Sequence, residues 1–218
     1  MQEHILTTLR TARYFTLGSL QDSTDVWIVC HGYGQLAARF LERFRPIAEQ
    51  QRCVVAPEGL SRFYLSESPA ERRVGASWMT KEDRLHEIED YVRYLDALQR
   101  DVAGGKAKVT ALGFSQGTAT VCRWAALGAG ARIDRLIVWG GEVPPDLGLA
   151  DPRAAERLRN SRLTLVYGDS DEYFTPKVVA ATEARLREHA ISYEVVRFEG
   201  GHEIDTTTLL RLAEIGTR

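Results

Sequence analysis

A serine between two glycines is the first feature of this sequence that could do chemistry. The stretch "TALGFSQGTAT", residues 110–120, contains Gly113, Ser115 and Gly117 in a G-x-S-x-G spacing. An apolar run typical of a strand precedes the serine and a helical pattern follows it, which predicts a sharp turn that exposes the hydroxyl. The glycines would allow neighbouring backbone to pack closely around that turn. A serine held this way could serve as the nucleophile of an acyl transfer.

A carboxylate and a histidine follow Ser115 in the chain order that such a turn requires. Asp169 and Asp171 lie in "LVYGDSDEYFTP", after one strand candidate, and His202 lies in "VVRFEGGHEI", after the next. Ligand sites of open parallel sheets lie at the carboxyl ends of the strands, so these loops should converge. His202 would accept the Ser115 proton, and an aspartate would orient the imidazole and stabilise its charged form. On this reasoning either aspartate fits.

A glycine-rich turn near the N-terminus could complete the site. In "VCHGYGQ", residues 29–35, an apolar run ends in His31 and Gly32 before a helical pattern begins. The backbone amides of Tyr33 and Gln116 are the candidate donors of an oxyanion hole, while His31 is expected to brace the loop by hydrogen bonding. The sequence has no phosphate-binding loop, dinucleotide fingerprint or metal-ligand spacing. We therefore expect neither a metal nor an organic cofactor.

Short β-rich runs alternate with longer amphipathic segments along the chain. Most of the runs are continuously apolar, as in strands buried on both faces of a parallel sheet. The pattern predicts an α/β fold: a mostly parallel central sheet with helices on both faces and an antiparallel edge strand within residues 11–18. The strand candidates are residues 25–30, 53–57, 108–114, 134–140, 163–168 and 192–198. The helix candidates are about 35–51, 84–102, 117–128, 176–190 and 205–216.

One long segment, residues 58–83, breaks the alternation and carries Phe63, Tyr64 and Trp78 in a polar background. Long loops of compact domains are often functional. We expect these aromatic residues to contribute to a substrate-binding loop. An alternative of similar weight is that Phe63 and Trp78 pin the loop to the core.

Composition limits the classes of protein that this chain could be. The 218 residues are 44% hydrophobic and carry 28 basic and 30 acidic side chains, which predicts one globular domain over residues 1–218. A formal charge of −2 without charge blocks argues against nucleic acid as a partner, and strand-sized apolar runs argue against membrane insertion. Cys30, Cys53 and Cys122 lack metal-site spacing, so we expect reduced thiols and a cytoplasmic protein. The oligomeric state stays open, and a homodimer is one option.

Taken in order, the motifs resemble the α/β-hydrolase superfamily, and within it the phospholipase/carboxylesterase family that includes the acyl-protein thioesterases. The resemblance rests on "HGYG", "APEG", Trp78, "GFSQG", "GDSDEYFTP" and "GGH", which span nearly the whole chain, and "GFSQG" is the most specific of them. It implies Ser115 as nucleophile, His202 as base and the second aspartate, Asp171, as acid. It also implies that the oxyanion hole consists of the amides of Tyr33 and Gln116.

These observations predict a serine hydrolase that cleaves a small ester or acyl substrate, thioesters included. A peptidase or lactonase of the same fold is an alternative, because a Ser-His-Asp triad specifies acyl transfer and leaves the substrate open. A second alternative is a binding protein on a hydrolase scaffold that catalyses no turnover.

Overall fold

The apolar runs form the central sheet of the chain. In the computed structural model, which describes residues 1–49, 51–66, 68, 72–105 and 107–215, seven strands pair in the order β1-β3-β2-β6-β7-β8-β9. Strand β1 runs antiparallel to β3 at one edge, and every other pairing in this sheet is parallel. The strands are β1 (Tyr14–Leu17), β2 (Asp25–Cys30), β3 (Arg52–Pro57), β6 (Lys108–Phe114), β7 (Arg135–Trp139), β8 (Arg162–Gly168) and β9 (Tyr193–Phe198).

Helices cover both faces of the sheet because alternate strand residues point to opposite sides. In β2, Val26 and Ile28 belong to one buried cluster, and Trp27 and Val29 belong to another. The first cluster includes side chains of α2 (Arg84–Ala103), α3 (Gln116–Leu127), α4 (Pro152–Asn160) and α5 (Pro176–Glu188). The second includes side chains of α1 (Ala37–Leu41), a 3-10 helix (Glu42–Ile47) and α6 (Thr206–Ile215). The predicted fold class, including the antiparallel edge strand, is confirmed.

The structure differs from the sequence-based prediction at residues 58–83, which we expected to be a loop. This segment contains a hairpin in which β4 (Ser61–Tyr64) pairs antiparallel with β5 (Val74–Ser77). Each strand has four residues, too few for a clear alternation of apolar and polar side chains. Of the predicted loop, Glu67, Pro69, Ala70 and Glu71 lie outside the described residues.

Two helical segments also differ from the prediction. Helix α4 was missed because it buries only Ala154, Ala155 and Leu158, too few apolar residues for a visible helical period. The sequence nevertheless contains two signals for the start of this helix. Asp151 caps the helix by accepting a hydrogen bond from the Arg153 amide, and a proline occupies the first turn. The segment expected to be one helix at 35–51 consists of α1 and the 3-10 helix, which contains Pro46.

No helix within the described ranges is long and apolar enough to cross a membrane.

Candidate active site

The serine turn has the strained backbone that the G-x-S-x-G spacing predicts. Ser115 lies between β6 and α3 with φ 54° and ψ −117°, a positive-φ conformation that few residues other than glycine adopt. A Cβ atom on Gly113 would collide with the backbone of Gly117, and one on Gly117 would collide with the Cys30 carbonyl oxygen. Neighbouring backbone therefore encloses the turn, and only glycine fits at these two positions.

His202 and Asp171 are joined by a hydrogen bond. The Nδ1 atom of His202 lies 2.9 Å from Oδ2 of Asp171, and the other oxygen of that carboxylate accepts the amides of Tyr173, at 2.9 Å, and Phe174, at 3.1 Å. The Asp171 side chain is 1% exposed and that of His202 is 20% exposed. Since a carboxylate only accepts, Nδ1 carries the proton and Nε2 is left as a proton acceptor.

Asp169, the other candidate acid, lies apart from this hydrogen bond. Asp169 is exposed, and its backbone amide donates a hydrogen bond to the Phe198 carbonyl at 3.0 Å. Within the described part of the chain its carboxylate has no hydrogen bond to His202. The structure therefore brings Asp171, and not Asp169, to the imidazole.

Two glycines after β7 bring the histidine loop close to the serine turn. A Cβ atom on Gly140, whose φ is 60°, would lie 3.2 Å from the His202 ring and 3.3 Å from Oδ2 of Asp171. The next residue, Gly141, is packed against the serine, since its Cβ would lie 2.9 Å from the Ser115 carbonyl oxygen. We did not single out these glycines from the sequence, although a Gly-Gly pair directly after a strand was the available signal.

Aromatic side chains fix the orientation of the imidazole. The Phe114 and Tyr173 rings each have their centroid 4.8 Å from that of His202. Phe114 directly precedes Ser115, so the same residue touches both the histidine and the serine turn. No hydrogen bond joins the Ser115 hydroxyl to His202 within the described chain, and in structures without substrate such bonds are often long and tighten only on binding.

The "HGYG" turn packs against Ser115. A Cβ atom on Gly32 would lie 3.1 Å from that of Ser115, so the turn passes directly beside the Ser115 side chain. Buried His31 accepts the Gly59 amide at Nε2, 3.0 Å away, and its Nδ1 lies 2.8 Å from the Gly32 carbonyl oxygen. Burial lowers the pKa of His31, so the ring stays neutral and braces the turn.

Gln116 begins α3, where the first amides of a helix have no partner within the helix. Its side chain accepts the Trp78 amide at 3.1 Å and donates to the Met79 carbonyl at 2.8 Å. The side chain therefore holds the end of the β4–β5 hairpin against the serine turn, and the backbone amide stays at the helix N-terminus.

The three aromatic residues expected to bind substrate have different environments. Trp78 is 1% exposed, belongs to the core, and donates from its indole to the His31 carbonyl at 2.9 Å. This corrects the expectation of a substrate contact: Trp78 pins the segment to the core, as the alternative held. Phe63 packs on Tyr33 with ring centroids 5.1 Å apart, and Tyr64 is 61% exposed beside the Arg72 guanidinium.

A cleft of about 330 Å³ opens beside His202, within the size range of small-molecule sites. Its walls include Phe114, Leu36 and Phe40, together with Leu65 and Val74 of the hairpin region. Its charged lining residues are Arg39, Arg43, Arg73 and Glu203. The described residues contain no cluster of three or more His, Cys, Asp or Glu side chains that could hold a metal ion.

Comparison with known proteins supports the architecture. No protein-family model and no curated protein matches the sequence. Among solved structures, Zea mays acyl-protein thioesterase 2 is similar to this chain with a TM-score of 0.74 and 16% identity, over 95% of this chain and 98% of that one. The chain has the α/β-hydrolase fold.

Two further solved structures share the α/β-hydrolase fold. Esterase PE8 is similar with a TM-score of 0.66 and 18% identity, over 95% of this chain and 99% of that one. SOBER1 of Arabidopsis thaliana is similar with a TM-score of 0.68 and 17% identity, over 87% of this chain and 96% of that one. At these identities the likeness extends to the fold, and the chemistry must be argued from the side chains of this chain.

Proposed function

We propose that this protein is a serine hydrolase that cleaves small carboxylic esters, and thioesters of similar shape, through an acyl-enzyme intermediate. The observation that carries the proposal is the 2.9 Å hydrogen bond between His202 and Asp171, beside a serine on a strained, positive-φ turn. The buried carboxylate keeps the proton on Nδ1, so Nε2 is the basic nitrogen. No metal or organic cofactor is needed for this chemistry.

The proposed reaction has two halves. In the first, the Ser115 oxygen attacks the carbonyl carbon of the ester while His202 Nε2 takes the hydroxyl proton, and the same proton then passes to the leaving alcohol or thiol. In the second, a water molecule loses its proton to His202 and attacks the acyl-enzyme, and that proton returns to Ser115 as the acid leaves. The amides of Gln116 and Tyr33 are the proposed donors to the oxyanion.

Buried free thiols fit the cytoplasmic setting that we propose. Cys30, Cys53 and Cys122 are all buried and unpaired, and burial raises the pKa of Cys122 to about 12. Thiols in this state are unreactive and suit a reducing compartment.

Hydrolysis of p-nitrophenyl esters from acetate to palmitate, by the wild type and by Ser115→Ala, tests the proposal. Loss of a serine nucleophile should reduce kcat by about 10⁶-fold, which is loss of all measurable turnover. Equal activity of the two proteins would overturn the role of Ser115. Absence of turnover in a folded wild type would favour the non-catalytic binding scaffold.

A further inference from the structure

The cleft beside His202 is strongly basic for its size. Three arginines from separate places line it: Arg39 from α1, Arg43 from the 3-10 helix, and Arg73 from the residue before β5. Among the described residues that line it, Glu203 is the one acidic side chain. The overall charge of the chain is −2, so this concentration of positive charge is local.

These three arginines differ from the nearby Arg45 in having no partner among the described residues. Arg45, on the same 3-10 helix as Arg43, forms an ion pair with Glu42 at 2.5 Å. Within the described ranges, the side chains of Arg39, Arg43 and Arg73 make no hydrogen bond and no ion pair, and all three residues are exposed. Positive charges around one cleft repel one another, and this repulsion raises the electrostatic energy of the empty cleft. A bound anion would lower that energy.

The basic cleft lies directly beside the residues proposed to carry out the reaction. Its wall includes His202, the proposed base, and Phe114, the residue before the nucleophile. The apolar side chains of Leu36, Phe40 and Leu65 line the same cleft. A substrate that suits this lining combines an ester, an apolar portion and a negative charge.

We propose that the cleft binds a carboxylate or phosphate group carried by the ester that Ser115 cleaves, so that the enzyme selects anionic esters. The inference rests on the proposed function for the reaction and on Arg39, Arg43 and Arg73 for the selectivity. Guanidinium groups suit both anions, because their fork of N–H donors matches the oxygen atoms of either.

Matched substrates measure this selectivity. On the leaving-group side, phenyl acetate is compared with 4-acetoxybenzoate and 4-acetoxyphenyl phosphate, and on the acyl side p-nitrophenyl hexanoate is compared with mono-p-nitrophenyl adipate. Rates with Ser115→Ala are subtracted as background. We expect kcat/KM for an anionic member of at least one set to exceed that of its neutral partner by about tenfold, a modest value because the arginines are exposed. The carboxylate and phosphate substrates show which anion is preferred.

Variants assign the selectivity to the cleft. The double variant Arg39→Gln/Arg43→Gln, which retains only Arg73 of the three, should lower the ratio of anionic to neutral kcat/KM toward one, and raised ionic strength should reduce the ratio for the wild type. Arg45→Gln removes a cation from the same 3-10 helix but outside the cleft, and should leave the ratio unchanged. A wild-type ratio near one in both sets, or equal losses in Arg45→Gln and the double variant, would overturn the inference while leaving ester hydrolysis intact.

A binding measurement keeps this inference separate from the proposed function. Saturation-transfer NMR with benzoate and phenyl phosphate requires no turnover. Signal with the wild type that disappears in the double variant would support an anion site even if every ester were inert. Absence of signal with both compounds would contradict the site, whatever the outcome of the hydrolysis assays.

Discussion

Asp169 and Asp171 are separated by one residue but have different environments. The Asp171 carboxylate is buried, accepts two backbone amides and contacts His202, whereas Asp169 is exposed. The Asn side chain of Asp171→Asn has the same shape as aspartate but can place an amide NH₂ opposite His202 Nδ1, which favours the wrong imidazole tautomer. The variant should therefore have a kcat lower by about 10⁴-fold. Asp169→Asn should stay within a few-fold of the wild type.

The kcat values of both variants on one p-nitrophenyl ester check this prediction, with circular dichroism to verify folding. Equal losses, or a larger loss in Asp169→Asn, would contradict the assignment of Asp171.

His31 should make stability depend on pH. Burial lowers its pKa in the folded chain, so below the ordinary value of about 6.5 the unfolded chain binds a proton that the folded chain does not. Its contribution is therefore complete above that pH and is lost as the pH falls. Between pH 6.5 and 5 the loss of unfolding free energy is at most about 2 kcal/mol.

Urea unfolding at pH 7 and pH 5 tests this effect in the wild type, in His31→Gln and in His4→Gln, which alters an exposed histidine. His31→Gln should be less stable at pH 7, because two buried hydrogen bonds change, but should lose less stability on acidification. If all three proteins lost the same amount, His31 would not be the titrating group.

At the scale of elements, the strained backbone of the serine turn should lower the unfolding free energy of the protein. Ser115 has φ 54°, which favours glycine. Ser115→Gly should therefore unfold with a free energy about 1 kcal/mol higher than Ser115→Ala, since both lack the hydroxyl and only one retains the strained Cβ. Thermal unfolding of the two variants measures the difference. A less stable Ser115→Gly would show that the turn is not strained.

The elements that sequence patterns predict well are those with a clear period. Buried strands such as Asp25–Cys30 and Lys108–Phe114 have long apolar runs, and their predicted bounds agree with the structure. The hairpin strands and helix α4 bury too few side chains for such a signal. The end of the hairpin is held by tertiary contacts instead, such as the hydrogen bonds from Gln116 to Trp78 and Met79, which directly follow β5.

The same contrast applies to the site. Ser115 and His202 could be predicted because each follows an apolar strand in a distinctive glycine context. Motif spacing could not reveal the arginines of the cleft, because Arg39 and Arg73 are far apart in sequence. They line one cleft only because the fold places α1 and the hairpin side by side. Gly140 was missed for a similar reason, since its contacts with His202 depend on the neighbouring strands.

At the scale of the whole molecule, the candidate active site and a buried ionic network lie at opposite ends of the sheet. At the amino ends of the parallel strands, Arg52 pairs with Asp25 at 2.7 Å and donates to the Ala213 carbonyl at 2.9 Å. Arg135 donates to the Leu212 carbonyl at 2.5 Å. The two arginines thereby satisfy carbonyl groups in the last turn of α6.

Loss of this network should destabilise the protein without slowing the reaction. Arg52→Met removes the cation that pairs with Asp25, which keeps the Trp27 indole as a donor, and leaves the Ile47 and Ala213 carbonyls without the guanidinium. The unfolding free energy should fall by about 2 kcal/mol. The kcat of the folded variant should match that of the wild type. Arg153→Met, at an exposed position of α4, is the control. A loss of kcat in Arg52→Met at a temperature where it is fully folded would show that the two ends are coupled.

Covalent labelling with a fluorophosphonate, read by intact-protein mass spectrometry and peptide mapping, tests the central claim most directly. A fluorophosphonate reacts with a serine only when a base activates the hydroxyl. The account predicts one adduct per chain, at Ser115, that is absent in Ser115→Ala and forms far more slowly in His202→Gln and Asp171→Asn. A folded wild type that stays unlabelled, or an adduct at another residue, would contradict it.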